Sequence, residues 1–207
     1  MTETICPCPE EYPDWDGKTI NLGGKCVHEM KIASFLHMPV AYDMYVSKQA
    51  ENIEHLGLTE RWPGAILTKT GMFRGKIMRI IEDEQSPSRL VRFIAGDFWL
   101  MGQMHRGGIG TVPKAAHKMQ IAMVEKGLMP KELYLMHLTC DECWERKGGD
   151  KILILRRFSA NKRVQENLEA ENRRREAKER KRAEIEPENE KSQSTIHNPQ
   201  SPVPRIM

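Results

Sequence analysis

Two cysteines separated by two residues, Cys140 and Cys143, constrain the fold most, because they lie in a short polar turn between two apolar segments. The flanking segments ELYLMHL and KILILRR are rich in Leu and Ile and predict a pair of strands. Gly148 and Gly149 give the chain a flexible return between them. A Cys-x-x-Cys turn between two strands directs both sulfur atoms to one side, as in zinc knuckles. The sequence therefore predicts a C-terminal β-hairpin that carries a metal knuckle.

A tetrahedral structural metal site needs four N or S ligands, so two more must come from elsewhere in the chain. The CPCP segment near the amino terminus offers two cysteines, and binding a metal would order an arm that otherwise has little reason to fold. A second source is the Cys-x-His of a predicted strand, because residues two apart in a strand face the same side. The predicted metal ligands are Cys6, Cys8, Cys140 and Cys143, with Cys26 and His28 as alternates.

Zn²⁺ is the predicted cofactor, and an iron–sulfur cluster is the alternative, because cysteine thiolates hold both. A redox dithiol is less favoured, since such a pair normally opens a helix after a strand. The amino-terminal segment is acidic and polar, so it does not resemble a secretory signal. We expect a cytoplasmic protein in a reducing compartment, where paired cysteines are commonly ligands. The leading interpretation is a cytoplasmic zinc-binding protein with a structural metal site.

The segments between the two cysteine pairs predict an α+β fold. One helix is expected from Asp43, as its N-cap, to Gly57, and a second from Thr111, also as an N-cap, to Gly127. Intervening segments rich in Ile, Val and Phe predict strands. No repeated segment is recognisable in the sequence. The expected architecture is an antiparallel sheet with two main helices and the C-terminal hairpin.

The composition of the chain changes near residue 160. Residues 1–159 are predicted to form a single α+β metal-binding domain, a length sufficient for one hydrophobic core. Residues 160–207 are at first almost wholly charged and carry no apolar stripe. They predict a solvated helix followed, after Pro187, by a disordered end. No run of apolar residues is long enough to span a bilayer, and no membrane partner is expected.

The segment MHRGGIGTVP is a glycine-rich loop before the second predicted helix. Free N–H groups at a helix start suit a phosphate or carboxylate, and an Arg guanidinium adds further donors. The ending typical of a Walker loop is absent. The loop therefore predicts a candidate site for an anionic small molecule, although a plain turn explains the same glycines. The predicted ligand-binding residues are His105, Arg106, Gly107, Gly108 and Thr111.

An enzymatic interpretation uses His37 and His105 as general acid and base, together with Tyr42 and Asp43. It would make the chain a hydrolase or a lyase. The sequence holds neither a Gly-x-Ser-x-Gly nucleophile motif nor a His-Glu-x-x-His zinc motif. His37 stands among apolar residues, where a histidine is commonly a hydrogen-bonded core residue. The sequence therefore leaves open whether the chain is an enzyme.

A nucleic-acid-binding module is a further alternative. Arg74, Lys76, Arg89 and Arg92 lie on predicted strands near phenylalanines, and basic and aromatic residues on a sheet can bind single strands. Strand alternation does not put them on one face. Lys and Arg number 32 against 29 Asp and Glu, far from the basic excess of a dedicated nucleic-acid binder. Nucleic acid is therefore not favoured as a partner, and the oligomeric state is left open.

Overall fold

The computed structural model describes residues 6, 8–82, 86–159 and 162–193. The chain divides into two compact units, Met1–Asn161 and Lys162–Met207. The first unit combines an antiparallel sheet with two main helices, so the predicted α+β class is confirmed. None of the helices in the described part of the chain has the length and apolar character needed to cross a membrane.

The described part of the first unit contains five strands of eight to ten residues and four of only two or three residues. The strands are β1 (Thr19–Asn21), β2 (Cys26–Phe35), β3 (Met38–Pro39), β4 (Leu67–Lys69), β5 (Arg74–Ile81), β6 (Val91–Phe93), β7 (Trp99–Arg106), β8 (Met129–His137) and β9 (Lys151–Ser159). The helices are α1 (Tyr42–His55) and α2 (Val112–Glu125), the latter preceded by a 3₁₀ turn (Ile109–Thr111), and α3 (Lys162–Gln193) belongs to the second unit.

The sheet contains a repeat that the sequence does not reveal. Its strand order is β1-β7-β9-β8-β4-β5-β2-β3, with β6 paired to β2. The first half, β2-α1-β4-β5, and the second half, β7-α2-β8-β9, therefore have the same order of elements and the same order of strand pairing. They meet where Thr68 of β4 pairs with Leu135 of β8. No repeated segment is recognisable in the sequence because the two halves share topology while their sequences differ.

The two faces of the sheet have different covers. Both helices lie on one face, where α1 packs on a cluster that includes Met30 and Ile77, and α2 buries Met119 and Met123. The opposite face carries the larger core cluster, which includes residues of the arm before β1 and of the loops before β4 and β7. The strands β5 and β9 therefore have both faces buried over much of their length, which explains their apolar runs.

A close backbone contact fixes the amino-terminal arm against the sheet. The N–H of Gly17 donates to the carbonyl oxygen of Gly102 over 3.1 Å, and the N–H of Gly102 donates to that of Lys18 over 2.9 Å. A Cβ at Gly102 would lie 2.1 Å from the carbonyl oxygen of Trp15, so only glycine permits this approach. These backbone contacts hold the arm against the sheet independently of the cysteines at its start.

The two glycines predicted to end the helices do so, whereas the predicted N-cap of α1 is wrong. Gly57 and Gly127 follow the helices with φ of 62° and 72°, as expected of helix-terminating glycines. The residue before α1 is Ala41, in the left-handed region with φ of 50°, so Asp43 lies in the first turn and is not the N-cap. Thr111 does precede α2, but its side chain makes no capping hydrogen bond.

The second unit is described from Lys162 to Gln193 as the single helix α3. This helix continues past Pro187, where the sequence predicted that helical structure would end. Residues 194–207, for which disorder was predicted, lie outside the described residues.

Candidate metal centre and adjoining cavity

The four predicted ligand cysteines converge in space. The sulfur atoms of Cys6, Cys8, Cys140 and Cys143 all lie within 4.8 Å of one another, although the first and last pairs stand at opposite ends of the unit. The Sγ atoms of Cys6 and Cys140 are 3.5 Å apart, and those of Cys140 and Cys143 are 3.8 Å apart. The four cysteines of the cluster form no disulfide with one another. The four thiols can hold a metal ion.

The connection between β8 and β9 shapes the C-terminal half of this centre. The N–H groups of Cys143 and Trp144 both donate to the carbonyl oxygen of Cys140, over 3.1 and 3.0 Å, and close a tight turn. The N–H of Cys140 donates to the sulfur of Cys143 over 3.3 Å. Lys147 also links the hairpin to the arm, because its ammonium group donates to the carbonyl oxygen of Pro9 over 2.8 Å. The arm and the hairpin are therefore held together on both sides of the sulfur cluster.

The thiols of the cluster differ in their readiness to ionise. Burial opposes ionisation of Cys143, but the N–H of Cys140 and the neighbouring thiols outweigh burial and lower the pKa of Cys143 to about 7. Burial and the adjoining sulfur atoms raise the pKa of Cys8, and burial also raises the pKa of Cys6. The Cys143 thiolate therefore forms easily, whereas the Cys6 and Cys8 thiolates would be stabilised by a bound cation.

The alternate ligands lie elsewhere. Cys26 and His28 are buried on β2 and do not belong to the group of converging ligand atoms. The side-chain amide of Gln49 contacts Nδ1 of His28 at 3.3 Å and donates to its backbone oxygen over 2.9 Å. His28 therefore belongs to a polar network under α1.

A cavity of about 580 Å³ adjoins the sulfur cluster. It lies on the helical face, where the two halves of the sheet meet, and is enclosed by the segment from the β2–β3 turn into α1, by β4, by the 3₁₀ turn before α2 and by the β8–β9 hairpin. Cys8 and Cys140 both line it, so the cluster forms part of one wall. The volume is within the range of small-molecule sites.

The polar groups of the cavity come from both halves of the sheet. His37 and Asp43 line one side, and His137 and Asp150 line the side formed by the hairpin. Desolvation by surrounding protein atoms lowers the pKa of His137, and the charge of Asp150 opposes that shift. An imidazole with a lowered pKa is neutral at pH 7 and can accept a proton.

A half-buried tyrosine, Tyr42, lies between these two sides. The hydroxyl of Tyr42 is 2.7 Å from Oγ1 of Thr68, the residue at which the halves meet. Burial raises the pKa of Tyr42, with Thr68 opposing the shift, so the phenol keeps its proton and can donate it in a hydrogen bond. Much of the remaining wall is apolar and includes Val46, Ile66 and Ile152.

The glycine loop reaches the cavity only in part. Gly108 and Ile109 line it, whereas His105, Arg106, Gly107 and Thr111 are not among the lining residues. The Thr111 hydroxyl donates to the carbonyl oxygen of Gly108 over 2.8 Å, so Nε2 of His105, 2.8 Å from that hydroxyl, must be the donor to it. In this arrangement His105 fastens the loop. The predicted anion site remains a prediction.

The predicted nucleic-acid residues have unequal surroundings. Lys76 pairs with Glu29 over 2.9 Å, and Arg92 pairs with the same carboxylate. Arg74 and Arg89 are exposed. The pairing with Glu29 occupies two of the four cations, and nucleic-acid binding stays a prediction.

His137 and Asp150 were missed by the sequence analysis. They lie at the end of β8 and immediately before β9, on either side of the cysteine turn. The sequence did indicate these two residues, because a hairpin that brings Cys140 and Cys143 to a metal must also bring the residues on either side of that turn close together. The cavity wall formed by β4 could not be found in this way, since its neighbour in the sheet is more than sixty residues distant along the chain.

Comparison with known proteins identifies a family. The family model described as "Bacterial hydrolase" matches residues 1–158, which is nearly the whole first unit. No curated protein and no solved structure matches the chain. Because the match covers most of the sequence, the chain belongs to this bacterial hydrolase family.

Proposed function

We propose that this member of the bacterial hydrolase family hydrolyses a small molecule in the cavity between the two halves of the sheet, and that a structural zinc ion fixes one wall of that cavity. The observation that carries the proposal is the shared wall. Cys8 and Cys140 of the sulfur cluster line the same cavity as His37 and His137, and Cys140 and His137 belong to one hairpin.

The sulfur geometry supports a single tetrahedral ion. A Zn–S distance of about 2.3 Å gives S–S edges of about 3.8 Å in a tetrahedron. The separations of 3.5 and 3.8 Å between Cys140 and its two neighbours are close to this value. In a cubane iron–sulfur cluster each thiolate binds a different iron atom and stands farther from the others. Four cysteines also close the coordination sphere, which is typical of structural zinc.

Zinc would be held by Cys6, Cys8, Cys140 and Cys143, and its chemical contribution there would be to stabilise four thiolates at one point. Elemental analysis of chain purified without chelator should give about one zinc per chain. A brown protein with iron would exclude the zinc assignment, and a metal-free folded protein would exclude the centre altogether.

For the reaction we propose His137 as general base and Asp150 as the residue that positions it. The neutral imidazole would take a proton from a water molecule as its oxygen attacks an electrophilic carbon of the substrate. The Tyr42 hydroxyl and His37 are placed to donate hydrogen bonds to the oxygen that gains charge or to the leaving group. No nucleophilic side chain is needed for this route.

The residues that line the cavity also indicate which substrate charge it can accept. Among the described residues that line the cavity there is no Lys or Arg, whereas three are carboxylates, Asp43, Asp141 and Asp150. The carboxylate of Asp150 lies 3.6 Å from where a Cβ on Gly108 would stand, so it faces the glycine loop itself. We therefore propose an uncharged or cationic, largely apolar substrate in preference to an anion, which would find no cationic partner here.

A panel of chromogenic esters and amides, each in uncharged, cationic and anionic form, tests the reaction. We expect His137→Asn to lower kcat/KM on the best substrate by about 10²–10⁴-fold, the usual contribution of a general base. His117→Asn is the matched control, because His117 is exposed on α2 and does not line the cavity. Full activity of the His137 variant would exclude the assignment.

Asp150→Asn tests positioning separately. The charge of Asp150 raises the pKa of His137, so its removal should shift the acid limb of the pH–kcat/KM profile to lower pH. We expect a smaller loss of kcat than for His137→Asn. A lower kcat with an unchanged pH profile would contradict the proposed coupling.

A further inference from the structure

Two hairpin tips lie side by side at one end of the sheet, next to the cavity. The β2–β3 turn is made of Leu36 and His37, and the chain before β5 passes through Met72 and Phe73. The N–H of Leu36 donates to the carbonyl oxygen of Met72 over 2.9 Å, and the N–H of Ser34 donates to that of Phe73 over 3.2 Å. These bonds join the two tips into one projecting edge.

Large apolar side chains are concentrated on this edge. Their exposed fractions range from 49 to 66%, although residues of these types are normally buried. Several adjacent ones make a patch of the kind that marks an interaction surface. We call it the mouth patch, and it consists of Phe35, Leu36, Met38, Val40, Met72 and Phe73.

The backbone within the mouth patch and directly beside it is strained. Leu36 and His37 have φ of 49° and 67°, and Ala41 has φ of 50°. A two-residue hairpin with positive φ at both positions is a turn in which Asn-Gly is normally found, and a Leu-His pair there is unfavourable. Strain of about 1–3 kcal/mol per residue persists mainly at sites of function. Here it holds the apolar side chain of Leu36, 60% exposed, at the tip.

The mouth patch is continuous with the cavity. Met38 belongs to both, and His37, next to Leu36 in the turn, lines the cavity as well. Ile109, which lines the cavity from the 3₁₀ turn before α2, is 48% exposed. An apolar molecule at this edge would contact the exposed patch and then Met38 and Ile109, which line the cavity.

Cations stand directly behind the apolar tips. Lys31 of β2 and Arg74 of β5 are both exposed, and Arg74 pairs in register with Ala33 at the end of β2. Neither has an ion-pair partner within the described ranges 8–82 and 86–159. Apolar side chains in front of basic ones match the order of acyl chains and anionic headgroups at a membrane surface.

We propose that the mouth patch docks this protein on an anionic lipid surface, with the cavity mouth facing the bilayer. The expectation from sequence that no membrane partner exists considered spanning segments alone. A second copy of the chain fits this edge less well. A two-fold contact through the patch would bring Lys31 and Arg74 of both copies together, and narrow projecting tips offer little flat area. The docking proposal does not depend on which reaction the cavity performs.

Flotation of the full chain with vesicles tests the proposal. We expect binding to vesicles of phosphatidylcholine and phosphatidylglycerol at 3:1, and weaker binding to pure phosphatidylcholine. The double variant F35S/F73S should lower the partition coefficient about tenfold or more, because two inserted aromatic side chains are lost. Its matched control is I121S/V124S, which removes two apolar side chains that are 48 and 56% exposed on α2.

The double variant K31E/R74E tests whether the basic side chains behind the apolar tips bind anionic headgroups. It should lower binding to the anionic vesicles about tenfold or more while leaving binding to phosphatidylcholine little changed. The basic segment at residues 173–182 is present in every variant, so its own attraction to anionic lipid cancels in the comparison. Circular dichroism and metal content should match those of the unaltered chain, which excludes misfolding as the cause.

Phe73→Trp provides a direct readout of insertion. We expect quenching of the added indole by brominated acyl chains, relative to the unaltered protein. The proposal is overturned if the chain does not float, if F35S/F73S floats as well as its control, or if the added indole is not quenched. It is equally overturned if sedimentation shows a dimer that F35S/F73S dissociates, since the patch would then be covered by a second copy.

Discussion

The two halves of the sheet have the same order of elements but connect their last two strands differently. In the first half, residues 70–73 join β4 to β5 in a short turn. In the second half, residues 138–150 join β8 to β9 and carry the cysteine turn together with Asp150. The longer connection lies at the surface, where added residues disturb the sheet least. The second half thus provides two of the four cysteines of the sulfur cluster, and the first half provides the projecting tips.

A pair of polar side chains recurs under both helices. Nε of Arg79 on β5 donates to Oε1 of Gln49 on α1 over 3.1 Å. In the second half, Nη2 of Arg156 on β9 donates to Oε1 of Gln120 on α2 over 3.0 Å. The same strand and the same helix supply the partners each time, which supports an internal repeat more strongly than topology alone.

The surroundings of the two arginines differ. The register partner of Arg79 is His28, and Arg79 also pairs with Glu60 over 2.7 Å, so the first half has a buried network of four polar side chains. The register partner of Arg156 is Met101, and Nε of Arg156 has no hydrogen-bond partner in the described part of the chain. The two halves are therefore specialised, with a buried ionic network in the first and the Cys140–Cys143 turn of the sulfur cluster in the second.

The largest expected effect is loss of the metal centre. We expect Cys140→Ser to lower the free energy of unfolding by more than about 5 kcal/mol, since structural zinc contributes about 10–16 kcal/mol in small zinc domains. Urea unfolding followed by tryptophan fluorescence would measure it, because all four tryptophans lie in residues 1–161. Cys26→Ala, which removes a buried thiol outside the cluster, should keep one metal per chain. A Cys140 variant that unfolds like the parent would contradict a structural metal.

The buried network of the first half should give the next largest effect. Arg79→Met leaves the Glu60 carboxylate without its cation, and the side chains of the pair are only 6 and 13% exposed. Breaking a buried pair in this way costs about 3–5 kcal/mol, because an uncompensated charge remains. The double variant R79M/E60Q should recover part of this loss. If it is no more stable than R79M, the carboxylate is not the cause.

The corresponding change in the second half should be much milder. Arg156 is partly exposed, and its recorded hydrogen bond is to the neutral Gln120. We expect Arg156→Met to cost about 1 kcal/mol or less, the usual worth of a neutral hydrogen bond. Measuring R79M and R156M in the same urea series compares the halves directly. Equal losses of unfolding free energy would mean that the two networks contribute equally to stability, and would contradict the proposed specialisation of the two halves.

Sequence reasoning found the fold class and the helix-ending glycines from local patterns, and it found distant site residues only where a strict chemical count required them. The cysteine turn lacks two of four ligands, which requires partners elsewhere, and Cys6 and Cys8 were therefore found although they are distant in sequence. The repeat escaped detection because only a few positions, such as the Arg–Gln pair, recur, while neighbouring positions differ as much as His28 and Met101. Polarity alone misplaced the cap of α1. Asp43 is a good N-cap type, but the left-handed residue Ala41 starts the helix earlier.

The smallest expected effect is a pH dependence that originates in the first half. Burial, and then the charge of Arg79, lower the pKa of His28 below its usual 6.5. As the pH falls below about 6.5, the unfolded chain binds a proton that the folded chain does not, so stability is complete above that pH and declines below it. His137 contributes with the same sign, but its side chain is exposed to solvent, whereas that of His28 is fully buried. We therefore expect His28→Gln to reduce the loss of unfolding free energy between pH 7.5 and 5.5 more than His137→Asn does. Metal release at low pH acts equally in both variants, so only their difference is diagnostic, and a larger change for His137→Asn would shift the acid sensitivity to the second half.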